Sequence, residues 1–258
     1  MKLVLAATHH DPEGRLYGQT KRVLPHLREL FGTITLHLTS STVERSAALL
    51  RDGCDVRQES DAPGGLTQLG KPRRAVIAHA LELGVQHMVF CDFDRMLHWV
   101  EFHPGELTDV LARVPNADFT LFGRTPRAYA SHPRCQRDTE ATINTVFAAV
   151  SGRAWDVGAG ARGISRRAAT ALLAGCDDQS VGVDCTWPLT LLRQGGFTVN
   201  QIATEGMEFE TPDRYADHVA ELGGVQAWND RLDRDPKQWA MRLELARVEV
   251  EAMGRLGS

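Results

Sequence analysis

The stretch His87-Met88-Val89-Phe90-Cys91-Asp92-Phe93-Asp94-Arg95 joins an apolar run to two carboxylates one residue apart. The run His87 to Cys91 predicts a short buried strand, of the kind that lies in a covered sheet. The carboxylates fall where that strand ends, and open α/β sheets collect ligands outside the carboxyl ends of their strands. Residues two apart on a strand share a face, so Asp92 and Asp94 are expected to hold one divalent cation, which in turn neutralises a diphosphate. A bare Asp-x-Asp is common, and an exposed acidic turn accounts for it equally well. The surrounding chain has to decide.

Upstream, the pattern predicts alternating strands and helices. Lys2 to Thr8 is a strand that runs into the polar loop Thr8-His9-His10-Asp11-Pro12. Tyr17 to Phe31 carries Val23, Leu24, Leu27, Leu30 and Phe31 at helical spacing, with Pro25 inside. Thr33 to Thr39 alternates as a strand, and Ser40-Ser41-Thr42 followed by Glu44 supplies capping chemistry for a helix ending at Arg51. Cys54 to Glu59 is a third strand, followed by the loop Asp61-Ala62-Pro63-Gly64-Gly65. Three such units predict a doubly wound sheet that starts near residue 1.

Gly70-Lys71-Pro72-Arg73-Arg74 then opens a helix to about Leu83, with Pro72 suited to its first turn. The chain has four lysines (Lys2, Lys21, Lys71, Lys237), so a basic cluster at a helix start, where anions are favoured, stands out from its surroundings. A solvated basic turn is the plain alternative. Further on, Pro104 to Val114 is helical and Asp118 to Phe122 a strand. Arg124-Thr125-Pro126-Arg127 reads as a basic loop, and Thr139 to Val150 as a helix. Gly158-Ala159-Gly160-Ala161-Arg162-Gly163 matches Gly-x-Gly-x-x-Gly but lacks a preceding hydrophobic strand, so close backbone approach to a ligand or a neighbouring strand is the better reading. Asp184 precedes a helix over Trp187 to Arg193, where it is either a site carboxylate or an N-cap, and Gly195-Gly196 ends that helix. Phe197 to Ala203 is a last strand. The tail from Tyr215 is helical, with Trp239, Leu243, Ala246, Val250 and Met253 on a face to be covered by the body or by a second subunit.

Composition narrows the function classes. A chain of 258 residues, 43% hydrophobic, with net charge −4 and pI near 6.2, fits a globular α/β protein and excludes a general nucleic-acid binder. No window approaches a membrane span, and Met1 to Ala7 is too short for a signal-peptide core, so a cytoplasmic location is expected. Cys54, Cys91, Cys135, Cys176 and Cys185 are scattered and odd in number, which predicts buried free thiols.

Taken together, the order of features resembles a nucleotide-sugar glycosyltransferase of the GT-A fold, nearest to the mannosylglycerate synthase-like branch. The resemblance covers roughly residues 1–210, with 211–258 as a helical extension packed on the same domain. It rests on Gly70-Lys71-Pro72-Arg73-Arg74 before the Asp-x-Asp strand, Asp92-Phe93-Asp94, Gly158-Ala159-Gly160, Gly182-Val183-Asp184 and Glu205-Gly206. It implies a GT-A-type mixed sheet flanked by helices and a nucleoside-diphosphate sugar donor. Thr8, Glu59, Lys71, Arg74, Asp92 and Gly160 are the implied donor contacts, with Asp92 near the ribose and Lys71 on the diphosphate or base. Asp92 and Asp94 are the implied metal ligands for Mg²⁺ or Mn²⁺, and Asp184 is the implied catalytic carboxylate. The family places a metal-binding histidine three residues after the glycine of Glu-Gly, where this chain has Phe209; the nearest later histidine is His218.

The implied reaction is sugar transfer to a small hydroxylated acceptor, with Lys71 or Arg74 assisting the metal at the leaving diphosphate. Asp184 is the general base if the reaction inverts and positions the acceptor if it retains. Arg124 and Arg127 point to an acceptor bearing a carboxylate or phosphate. A nucleotidyltransferase forming a nucleotide-sugar is the rival enzyme, although His9-His10-Asp11-Pro12-Glu13-Gly14-Arg15 lacks the glycine-rich loop such enzymes open with. A degenerate nucleotide-sugar-binding protein is the non-catalytic alternative, favoured by Phe209. No nucleic-acid partner is expected, and the apolar tail face is a candidate for pairing two copies.

Overall fold

A computed structural model describes residues 3–60 and 64–256. Met1-Lys2 and positions 61 to 63 of the expected loop lie outside the described residues. In chain order the elements are β1 (Val4–His9), α1 (Tyr17–Leu30), β2 (Thr33–Leu38), α2 (Glu44–Arg51), β3 (Asp55–Gln58), α3 (Gly70–Glu82) and β4 (His87–Asp92). Then come α4 (Phe93–Phe102), α5 (Pro104–Arg113), β5 (Phe119–Arg124), α6 (Pro126–Ala130), α7 (Arg134–Ser151), β6 (Ala161–Ser165), α8 (Arg166–Gly175), α9 (Val183–Gln194) and β7 (Val199–Thr204). The chain ends in α10 (Thr211–Arg214), α11 (Ala216–Glu221), α12 (Val225–Arg234) and α13 (Pro236–Leu256).

Among the described residues, seven strands form one mixed sheet in the order β3-β2-β1-β4-β6-β5-β7. β1 pairs in parallel with β2 and β4, and β6 runs antiparallel between β4 and β5. The period of two along each strand sends alternate side chains to opposite faces, and both faces are apolar. Leu5, Ala7, Val89 and Cys91 face α1, α2, α4 and α5, while Val4, Ala6, Met88 and Phe90 face α3, α7, α8, α9 and α13. The edge strand β3 is largely exposed and bears Asp55 and Arg57, charges that discourage pairing with another chain.

Because β6 alone enters from the opposite direction, its first residue, Ala161, lies at the same end of the sheet as Asp92, Thr8 and Arg124, the last or near-last residues of their strands. That end carries the site.

Several local expectations are corrected. Asp92 and Asp94 do not share a strand face: β4 ends at Asp92 and α4 begins at Phe93, driven by Met96, Leu97, Trp99 and Val100, all buried. The Ser40-Ser41-Thr42 cap is not made. Val43 is the N-cap of α2 without a side-chain bond, and the Thr42 hydroxyl turns to Thr39 and the His9 carbonyl. Arg124 belongs to β5 rather than to a loop, and Thr125 caps the short helix after it. On α13 the covered face is Ala246, Val248, Glu249, Ala252 and Met253, packed against α7 and α9, whereas Leu243 is 58% exposed. Met241 and Leu243 are thus the large apolar residues left on α13 for a second copy.

Candidate active site

The Thr8 hydroxyl at the end of β1 donates to Asp92 Oδ1 at 2.7 Å, across the β1–β4 ladder. The other oxygen, Oδ2, accepts Arg73 from α3 at 2.7 Å. The same guanidinium donates to Asp184 Oδ2 at 2.9 Å, and Arg162 from β6 reaches Asp184 Oδ1 at 3.3 Å. Arg73 and Asp184 are each about 95% buried, and the guanidinium also lies over the Phe90 ring. Burial disfavours the Arg73 charge, but Asp184 and Asp92 outweigh it and raise the group above its ordinary value. Gly160, at φ +69°, brings backbone so close that a Cβ there would stand 3.3 Å from Asp92 Oδ2.

Asp94 sits one residue into α4 and is matched by other partners. Its Oδ1 accepts the Arg95 N–H at 2.9 Å, and its Oδ2 accepts Arg214 from α10 at 2.8 Å. Burial pushes this carboxyl up, but Arg214 and Arg95 outweigh it and hold it below the usual range. Arg214 also donates to the His10 carbonyl, and Arg95 lies 3.2 Å from Glu210. The segment after β7 is therefore pinned over the acidic pair.

At the same end of the sheet a cavity of about 770 Å³ lies along the ends of β1, β2 and β3 and the start of α3. His10, His37, Gln58, Glu59, Leu66 and Lys71 are among its walls. His37 Nε2 is 3.3 Å from Glu59; burial lowers the imidazole below its ordinary value against the pull of Glu59, which favours a neutral ring. Lys71 is exposed at the rim and makes no ion pair among the described residues.

Of the residues expected from sequence, Thr8, Asp92, Gly160 and Asp184 converge, Asp94 lies on their flank, and Glu59 and Lys71 line the cavity at the same sheet end. Arg74 does not join them: its guanidinium donates to the carbonyls of Leu172, Leu173 and Cys176, closing the end of α8. Its neighbour Arg73 does, a residue the sequence reading passed over. The signal was available, since Arg73 lies three and four residues before Val76 and Ile77 on the buried face of α3. Asp184 is not an N-cap; Gly182 holds that position and Asp184 is in the first turn of α9. Arg124 is no anion receptor either, being fully enclosed and paired with Asp156 and Glu140 at 2.6 Å each. Arg127 is exposed but spent on Glu205 and Glu208. The Glu-Gly segment is structural: Glu106 accepts the N–H of Glu205 at 2.7 Å and of Gly206 at 2.8 Å, and any Cβ on Gly206 would collide with the Trp99 indole.

As a divalent-cation site, Asp92 and Asp94 offer hard oxygens of the right class. Asp92 has an acceptor bond on each oxygen, and Phe209, packed 5.3 Å from the His132 ring, offers no ligand. His218 lies against Trp228 and Arg231 and does not take its place. Asp94, whose oxygens are held by the Arg95 N–H and by Arg214, would be the carboxylate to hold such an ion if Arg214 moved away.

Glu249 from α13 comes up behind the site and accepts from the Cys185 thiol at 3.2 Å. Burial first, and the nearby Asp184 charge second, push its carboxyl well above the usual range. A carboxyl raised on folding contributes stability that is full below its unfolded value and is lost as pH climbs through the raised native value. Glu249→Gln should raise the urea midpoint more in mildly alkaline than in mildly acidic buffer; an equal shift in both would show that the proton is not the cause.

No family model matches the chain, and no curated protein sequence matches it. Solved structures do. Glucosyl-3-phosphoglycerate synthase from Mycobacterium tuberculosis, solved with Mn²⁺, uridine diphosphate and phosphoglyceric acid, superposes with a TM-score of 0.54 at 16% identity, covering 78% of this chain and 68% of that one. A putative nucleotide-diphospho-sugar transferase from Desulfovibrio desulfuricans G20 matches with a TM-score of 0.42 at 11% identity, over 96% of this chain and 99% of that one. The first likeness shows the fold: a GT-A-type mixed sheet with a helical C-terminal region.

Proposed function

We propose that this GT-A-fold chain is a glycosyltransferase that takes a sugar from a nucleoside-diphosphate donor to a small, anionic, hydroxylated acceptor. The observation that carries the reading is that the cavity beyond β1 to β3 and the Thr8, Asp92, Arg73 and Asp184 cluster lie at one end of the sheet, the end where α/β folds bind ligands. In this reading the base lies between His37, Glu59 and Lys71, the ribose meets Asp92, and the diphosphate passes Asp94. A Mg²⁺ or Mn²⁺ held by Asp94 would neutralise the leaving diphosphate. Lys71 and the Arg214 displaced from Asp94 supply fixed positive charge to the same group.

Asp184, with one guanidinium on each oxygen, acts as a positioning residue for Arg73 and hence for Asp92. The acceptor side is a second cavity, of about 700 Å³, beyond α10, lined by Arg15, Tyr215, His218, Trp228 and Arg242 among others. Arg242 makes no ion pair or side-chain hydrogen bond among the described residues, and burial holds it below its ordinary value; a guanidinium short of counter-charge suits an anionic substrate. It replaces Arg124 and Arg127 in that role.

The test is calorimetric titration of UDP, GDP and their common sugar conjugates, with and without Mn²⁺. Wild type should bind one base selectively and more tightly with metal, Asp94→Ala should lose the metal effect, and Lys71→Ala should weaken binding by about tenfold, the weight of one charged contact. Absence of binding to every nucleotide under both conditions would sink the reading.

A further inference from the structure

A second cluster, with no part in the reading above, lies on the far end of α4. His98, on the last turn but one of that helix and 6% exposed, places Nε2 3.2 Å from Glu208 Oε1. His103, the residue that separates α4 from α5, places its own Nε2 2.7 Å from the same oxygen. The three ligand atoms lie within 4.8 Å of one another. Three atoms bound tetrahedrally to one ion at about 2.0–2.1 Å stand roughly 3.3 Å apart, so the cluster needs only a small opening to admit a metal.

Asp213 adds an independent observation. Its Oδ2 lies 2.8 Å from His98 Nδ1 and is itself held by Gln19 at 2.9 Å. A carboxylate on one ring nitrogen fixes the tautomer in which the other nitrogen is a free lone pair, the arrangement that supports metal-bound histidines. Two imidazoles and one carboxylate suit Zn²⁺, whereas Mg²⁺ and Ca²⁺ prefer sites made of oxygen alone.

We propose that His98, His103 and Glu208 form a zinc site that clips the segment after β7 onto α4, with the fourth coordination position open to water. The ligands come from two pieces of chain that meet again at the acidic pair. The first turn of α4 carries Asp94, and the segment bearing Glu208 continues to Glu210, on Arg95, and Arg214, on Asp94. An ion at this place fixes the cover over the candidate active site from behind. Glu208 also carries Arg127 on its other oxygen, and that exposed side chain is free to swing into solvent when the ion enters.

The test uses tag-free full-length protein, stripped of metal, dialysed, and titrated with Zn²⁺ by calorimetry, with bound metal counted by elemental analysis. Wild type should hold one equivalent. His103→Ala and Glu208→Gln should weaken it by tenfold or more, on the order of losing an inner-sphere ligand, with circular dichroism unchanged. His103 is only partly buried, so its removal leaves the fold intact. Asp94→Ala should bind Zn²⁺ as wild type does. The proposal is overturned if wild type takes up no stoichiometric Zn²⁺, if His103→Ala and Glu208→Gln bind it unchanged, or if Asp94→Ala alone abolishes it.

Discussion

Replacing Arg73 by methionine should cost the protein about 3–5 kcal/mol and lower its melting temperature by on the order of 10 °C, measured by thermal and urea unfolding. The cause is what the substitution leaves behind. Arg73 bridges Asp92 and Asp184 with separate N–H groups of one planar fork, at 2.7 and 2.9 Å, in a place almost closed to water. With a methionine there, Asp92 keeps Thr8 and Asp184 keeps Arg162, but two carboxylates then face one another across a low-dielectric gap with half their neutralising charge gone. Arg73→Lys should recover part of the loss and not all of it, because a compact ammonium cannot reproduce the fork. Lys71→Ala, two residues away but exposed, should move stability by less than about 0.5 kcal/mol while weakening nucleotide binding. If Arg73→Met proves as stable as wild type, the bridge is not what holds the two carboxylates together.

The contrast between Lys71, Arg73 and Arg74 also shows how much of the site was legible. A Lys-Pro-Arg-Arg cluster at a helix start announces an anion-facing corner, and composition makes it stand out. Which of three adjacent cations faces inward is set by helix phase: Arg73 shares the face of Val76 and Ile77, and Arg74 points to the end of α8. Six of the seven described strands were legible, as apolar runs or alternations bounded by polar loops; β6 was not, because Ala161-Arg162-Gly163-Ile164-Ser165 carries a single large apolar residue inside a glycine-rich segment. α4 was missed although Phe93, Met96, Leu97 and Val100 follow helical spacing, because placing Asp92 and Asp94 on one strand face carried the strand across the helix start. In the tail, Leu243 continues the spacing of Ala246 and Met253 past the point at which the body covers it, while Trp239 stays partly buried with its indole on the Asp233 carbonyl. The cluster of His98, His103 and Glu208 joins residues more than a hundred positions apart, and no local pattern announces it.

Arg124 and Arg127 give the second large effect, and they divide cleanly. Arg124→Met should cost about 3–5 kcal/mol, whereas Arg127→Ala should change stability by no more than about 0.5 kcal/mol. Arg124 binds Asp156 at 2.8 and 2.6 Å through two nitrogens and Glu140 at 2.6 Å, and stacks 4.6 Å over the Tyr129 ring, with none of its side chain exposed. Burial alone would push the Asp156 carboxyl up; the guanidinium outweighs it and holds it below the usual range. Removing Arg124 orphans both carboxylates, while Arg127, with more than half its side chain in water, gives up ion pairs that solvent replaces. Were Arg124 a receptor for an anionic acceptor, its loss would instead spare stability and weaken acceptor binding. A triple variant, Arg124→Met with Asp156→Asn and Glu140→Gln, separates the charge imbalance from the packing. With no charge left to bury, it should regain most of the stability lost by Arg124→Met alone, a departure from additivity of at least about 1–3 kcal/mol that arises only if the three side chains act as one buried network.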